Sequence, residues 1–141
     1  MGTNYYSVRR DVDLEKWDGW DLRYDEEGRC LHIGKSSGGW CFSLHVIPER
    51  GINSLSDWIE VFIDPERVII DEYRCEVGLE KMMRVITCRS RDEPNGWDQA
   101  TLDRNCAEPG PNNLVRHRMG DYCHCVGHGE GTWDLITGHF S

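Results

Sequence analysis

Cationic residues are scarce in this chain, and long apolar runs are missing from it. Lys and Arg number 16 against 25 Asp and Glu, for a formal net charge of −9. That balance argues against general affinity for duplex DNA or an anionic membrane surface. No apolar stretch approaches the roughly 20 residues of a membrane-spanning helix. The opening Met1-Gly2-Thr3-Asn4-Tyr5-Tyr6 lacks the basic-then-apolar order of an export signal, and Tyr6 stands where a myristoylation signal needs Ser or Thr. The expectation is a cytosolic protein. No G-x-S-x-G, H-E-x-x-H or deaminase-type signature occurs, so catalysis has no motif behind it.

What is present describes an ordered domain. The 141 residues suffice for one core, 38% are hydrophobic and 29% charged, and six Trp with five Tyr supply large core-forming rings. Seven cysteines (Cys30, Cys41, Cys75, Cys88, Cys106, Cys123, Cys125) form an odd set without an export signal, so reduced thiols are expected rather than disulfides.

Periodicity places the elements. In Trp40-Cys41-Phe42-Ser43-Leu44-His45-Val46, and again in Arg29-Cys30-Leu31-His32-Ile33, large apolar side chains fall on every second residue, the mark of a half-buried strand. The Gly/Ser-rich Gly34 to Gly39 reads as a flexible turn between them. The resulting β-hairpin turns Leu31, Ile33, Trp40, Phe42 and Leu44 inward. Cys30, His32, Cys41, Ser43 and His45 take the opposite face.

Ser54-Leu55-Ser56-Asp57 fits a capping box opening a helix striped by Leu55, Trp58, Ile59 and Phe62, which Asp64-Pro65 stops. Val68-Ile69-Ile70 reads as a short strand, and a second helix over 77–87 carries Leu79, Met82, Met83 and Ile86. Residues 92–113, rich in Pro, Gly and Asn, read as one long loop. Three further segments follow: Asn113 to Arg118, Tyr122 to Val126 and Thr132 to Phe140. The last two form a hairpin around Gly127 to Gly131.

Residues 1–28 give no clear pattern. Leu14, Trp17, Trp20 and Leu22 are apolar anchors among turns at Asp18-Gly19 and Asp25-Glu26-Glu27-Gly28. The order amounts to a single α+β domain over 1–141, a mainly antiparallel sheet with a β-hairpin and two helices.

Several residue groups carry possible chemistry. Gly34-Lys35-Ser36 resembles a phosphate loop, but the required upstream glycine with four residues between is missing and a strand follows, so a nucleoside-triphosphatase is a poor reading. A looser role, successive N–H groups beside a Lys, still suits an anion. Cys123-His124-Cys125 with His117 and His128, and the hairpin face of Cys30, His32, Cys41 and His45, are rich in metal ligands. Neither has the spaced C-x₂-C pairs of structural zinc, so no cofactor is expected and zinc is the weaker alternative. His32, His45 and His117 are the general acid–base candidates.

Charge is unevenly placed. Residues 29–48 hold Arg29 and Lys35 with no acid, residues 81–91 hold Lys81, Arg84, Arg89 and Arg91, and residues 112–119 hold Arg116 and Arg118. The commonest fate of such islands is a solvated, salt-bridged face. The sharper reading brings them together on a site for a small anion. There Lys35, Ser36 and Ser37 take phosphate oxygens, Arg89, Arg116 and Arg118 compensate charge, and His32, His45 and Trp40 line or stack on a base.

Met1 to Tyr6, Leu31-His32-Ile33-Gly34-Lys35-Ser36-Ser37-Gly38-Gly39-Trp40, and Cys125-Val126-Gly127-His128-Gly129-Glu130-Gly131-Thr132-Trp133-Asp134 resemble a family of small tailed-bacteriophage proteins. That pattern often carries a Cys-x-x-Cys ahead of the His-Ile-Gly-Lys segment. Here the acid- and Trp-rich residues 11–27 stand in its place, and the resemblance implies no zinc knuckle. It implies a setting in the host cytoplasm and an accessory, anti-defence role. The expected function is non-enzymatic capture of a small nucleotide-like ligand. The alternatives are an acidic protein–protein inhibitor of a host defence enzyme and a small histidine- or metal-dependent hydrolase. Duplex nucleic acid and membrane are not expected partners, and self-association is compatible with the sequence.

Overall fold

A computed structural model describes residues 2–15, 28–94, 96–119 and 123–140, the side chain of Cys123 excepted. The architecture is α+β, with a six-stranded sheet in the order β4-β1-β2-β3-β8-β7. Its strands are β1 (Gly2–Arg9), β2 (Cys30–Ser37), β3 (Phe42–His45), β4 (Arg67–Asp71), β7 (Cys123–His128) and β8 (Trp133–Gly138). All neighbours pair antiparallel except β3 and β8, which run parallel with Phe42 opposite Trp133 and Leu44 opposite Leu135. Two short strands, β5 (Ala107–Pro109) and β6 (Val115–His117), form a separate antiparallel pair.

The alternation in the hairpin sorts the two faces of the sheet. Leu31, Ile33, Phe42 and Leu44 point to one side, with Tyr5 and Ile69 from the flanking strands. That side is covered by helix α1 (Leu55–Phe62) through Trp58 and Phe62, and by helix α2 (Leu79–Thr87) through Met82 and Ile86. Ser54 caps α1 by accepting from the Asp57 N–H at 3.2 Å, and Asp57 Oδ2 accepts from the Asn53 N–H. The capping box is therefore present in a shortened form: an Asp side chain serves the amide one residue ahead of the cap. Of the expected α2 stripe, Leu79 is exposed, because it opens the helix at the rim.

The opposite face carries a smaller cluster of Tyr6, Val8, Cys30 and Ile70, with Val12, Leu14 and Val68 packed against it. Burial on both faces explains why β1 has no alternating signature: Asn4 to Val8 are all buried. The sequence reading assigned no element here, and the strand lies between β4 and β2.

Three expectations are corrected. Residues 92–113 are not one loop. Asp98 caps a third helix, α3 (Gln99–Arg104), by accepting from the Thr101 N–H at 2.8 Å, and β5 follows. The domain thus has three helices among the described residues rather than two. Trp40 does not join the inward face of the hairpin. It packs with Trp97 beside a third cluster of Leu102, Ala107 and Val115, since residues 39–41 leave the sheet to bond Val115. Gly34 to Ser37 belong to β2 rather than to a flexible turn, which shrinks to residues 38–39. The anchors Trp17, Trp20 and Leu22, the turns at Asp18-Gly19 and Asp25-Glu26-Glu27, and Tyr122 lie outside the described residues. Among the described residues, no helix is long and apolar enough to cross a membrane.

Candidate functional site

At the hairpin, the segment read as an anion-receiving loop is sheet. Lys35 pairs with Asn4 of β1 on one flank and Ser43 of β3 on the other, and Ser36 and Ser37 pair with Thr3 and Gly2. Strand amides point alternately to the two neighbours, so they cannot converge on one oxygen. Gly34 has a different purpose. At φ 156° its missing Cβ leaves room for the Ser43 carbonyl beside a bulge between β1 and β2. The tight turn that remains is tied down by Arg89, whose guanidinium donates to the carbonyls of Trp40 (3.0 Å) and Ser37.

Arg116 lies in the same region, next to Val115, whose carbonyl accepts from the Cys41 N–H, but its charge is spent inside the fold. Its Nε donates to Asp134 Oδ1 at 2.7 Å, and Nη2 donates to the carbonyls of Gly131 and Trp133. Asp134 is fully buried, and it also accepts from the His117 N–H (2.9 Å) and faces His128 Nδ1 at 2.8 Å. These contacts fasten β6 onto β8 and the β7–β8 turn. Burial pushes Cys41 up to about 12, with the Asp134 carboxylate adding to it. His117 stacks on Trp40 at 4.6 Å, and burial lowers its pKa. Arg118 points away to an exposed pair with Asp103 of α3.

Cys125, His128 and Asp134 have the residue types of a nucleophilic triad without its geometry. The thiol and the carboxylate both face Nδ1 of His128, at 3.8 and 2.8 Å, while Nε2 faces Glu108 at 3.0 Å. A triad needs opposite ring nitrogens for base and orienter. Burial also raises the Cys125 thiol, which opposes thiolate formation.

His32 and His45 stand on the far face of the sheet, away from the hairpin turn. Their Nδ1 atoms are 3.2 Å apart, and Phe140 packs against both rings at 4.9 and 5.0 Å. Asn4 Oδ1 meets His32 Nε2 at 2.9 Å, and Tyr6 lies beside the His32 ring. Burial holds the His45 imidazole below its usual pKa, opposed by the backbone carbonyls of His32 and Gly138. Cys30 and Cys41 do not close a metal tetrad with this pair. Among the described residues, no group of three or more His, Cys, Asp or Glu is placed to hold a metal ion. Cys30, Cys41, Cys75, Cys88, Cys106 and Cys125 are free thiols.

Of the nine residues singled out in the sequence, the structure thus brings Ser37, Trp40, Arg89 and Arg116 into one region, but as backbone clamp and buried ion pair. Lys35 and Ser36 are strand residues, His32 and His45 form their own pair, and Arg118 is on the surface.

Among the described residues, an open hollow lies elsewhere. A cavity of about 300 Å³ on the face of the sheet opposite α1 and α2 is lined by Arg9, Arg10, Val12, Leu14, Val68, Ile70, Arg74 and Glu76. Its apolar lining is the edge of the second cluster, and three guanidinium-bearing residues share the remaining wall with one acid. Arg9 meets Asp11 in an exposed pair at 3.4 Å, and Arg10 Nε donates to the Pro65 carbonyl at 2.9 Å. Arg74 is held at φ 68° in the turn after β4, where Asp71 Oδ1 accepts from the N–H groups of Tyr73 and Cys75.

Known proteins give no guide. No family model, curated protein or solved structure matches the chain.

The site must therefore be read from its own chemistry. Guanidinium forks bind carboxylate and phosphate oxygens in pairs, and an apolar lining takes a ring or alkyl body. Sequence reasoning missed this hollow because Arg9-Arg10 precede an acidic stretch and vanish in a segment-wise charge balance. The available signal was the Arg-Arg pair itself, followed by Val12 and Leu14 at alternating positions.

Proposed function

We propose that this protein binds a small anionic ligand with an apolar or aromatic body in the cleft framed by Arg9, Arg10 and Arg74, without transforming it. The observation that carries the reading is the gathering of three arginines around one apolar-lined cavity in a chain of net charge −9. Against that net charge, three arginines at one hollow make a local concentration of positive charge. A volume of about 300 Å³ sits at the small end of ligand cavities, suiting a mononucleotide or a comparable fragment. The body would lie on Val12, Leu14, Val68 and Ile70, with its anionic groups at the arginines. The resemblance to small tailed-bacteriophage proteins favours a nucleotide-like ligand of host defence, met in the host cytoplasm. That makes the protein an accessory, sequestering molecule.

Thermal-shift and calorimetric titration with mononucleotides, cyclic nucleotides, ADP-ribose and inorganic phosphate tests the reading. A ligand at about 100 times its Kd adds about 2.7 kcal/mol to stability. Arg10→Ala combined with Arg74→Gly, the glycine suiting the positive φ, removes two cations from an exposed rim and should weaken binding at least tenfold. Refutation would be a panel with no ligand at millimolar concentration, or one whose affinity ignores the double variant.

A further inference from the structure

We propose that His32 and His45 form a bidentate imidazole site for a borderline divalent transition ion, Zn²⁺ or Cu²⁺, independent of the arginine cleft. Three observations converge. The two Nδ1 atoms face each other at 3.2 Å. Two nitrogens bound at about 2.05 Å to one tetrahedral ion stand about 3.3 Å apart, so the rings already hold the bite of a chelate. Second, Asn4 Oδ1 lies 2.9 Å from His32 Nε2, the outer-shell contact by which a ligating imidazole donates its remote N–H and keeps its Nδ1 lone pair for the metal. Third, the rings are set by three strands and packed against Tyr6 and Phe140, so the ligands are pre-positioned rather than gathered by the ion.

Without metal, one proton accounts for the pair. His45 Nδ1–H donates to the His32 carbonyl at 3.1 Å and toward His32 Nδ1, which accepts. On binding, the His45 proton moves from Nδ1 to Nε2, a tautomer change within the ring. No net proton is released, and both lone pairs face the ion. Water or an exogenous anion takes up coordination positions beyond the two imidazoles. Imidazole nitrogen selects Zn²⁺ and Cu²⁺ over Mg²⁺ and Ca²⁺.

The test uses the full chain, stripped with chelator and titrated with Zn²⁺ alone, read by calorimetry and by ¹⁵N resonances of the histidine rings. One ion per chain is expected, with the Nδ1 resonances of His32 and His45 moving while that of His124 does not. His32→Asn and His45→Asn should each weaken binding at least tenfold, Asn4→Ala about tenfold, and His124→Asn not at all. The ring resonances are read in the unsubstituted protein, so the test survives a variant that fails to fold. Zn²⁺ that leaves both rings unmoved, or binds both histidine variants as tightly as the parent, overturns the assignment.

Discussion

Replacing Asp134 by Asn should be the most damaging single-charge change in the described part of the chain. The carboxylate is fully buried and has three donors around it: Arg116 Nε, the His117 N–H and the His128 ring. Arg116 is itself only 14% exposed in its side chain. Removing one partner of a buried ion pair costs about 3–5 kcal/mol, because the other charge stays desolvated without its counter-ion. Here the lower end applies. Arg116 keeps the carbonyls of Gly131 and Trp133, and the Asn side chain keeps one accepting oxygen. About 3 kcal/mol is expected, which for a chain of this length lowers Tm by roughly 6–12 °C.

The assay is urea unfolding followed by tryptophan fluorescence, with the slope checked for two-state behaviour. Asp103→Asn, which breaks the exposed pair with Arg118, is the matched control and should change stability by about 0.5 kcal/mol or less. Arg116→Met with Asp134→Leu should recover part of the loss by removing both charges, though the His117 N–H still lacks its acceptor. A loss below about 1 kcal/mol for Asp134→Asn would refute the assignment of Arg116 as an internal structural charge. It would also return that arginine to the list of ligand-binding candidates.

Smaller perturbations test other parts of the fold. Ser54→Ala removes the cap accepted from Asp57 and should cost about 1 kcal/mol in the same urea assay. Gly34→Ala places a methyl against the Ser43 carbonyl at a φ that disfavours side chains, and should lose more stability than the cap variant. In native thiol labelling, exposed Cys75 and Cys88 should react promptly, while Cys41, buried with its pKa pushed up to about 12, should react only on unfolding. His117 is held below its ordinary value of 6.5, so the unfolded chain takes its proton first as pH falls. Its contribution to stability should be complete above pH 6.5 and be lost as pH drops through the lower folded value. His117→Phe, keeping a ring against Trp40, should flatten that part of the stability–pH curve.

Elements whose environment repeats along the chain were legible in the sequence. The hairpin of β2 and β3 alternates because one face meets α1 and α2, and α1 is announced by Ser54 and by the spacing of Trp58 and Phe62. Strand β1 was not legible, since it is buried on both faces and its Asn4 and Ser7 read as polar interruptions. Helix α3 was obscured because it is one and a half turns long with Leu102 as its single buried residue, leaving the Asp98 cap as the only clue. The position of Trp40 depends on Val115, 75 residues later, and no local pattern encodes it.

The candidate site was less legible for a reason particular to arginine. A guanidinium carries five donors, and a fold with unpaired carbonyls at turns draws on them. Arg89 serves the hairpin turn, Arg67 serves Ser7 and Gly28, and Arg116 serves the β7–β8 turn. In each case the cation is surrounded by elements distant in sequence, so an island without neighbouring acids signals a long-range partner as readily as a ligand. Arg9 and Arg10 show the converse. They sit among acids in sequence, yet β4 and the Asp71 turn bring Arg74 to them across an apolar floor. Anion capture thus depends on which cations line a hollow in the fold, not on which stand clear of acids along the sequence. By that criterion the cleft of Arg9, Arg10 and Arg74 outranks the basic islands.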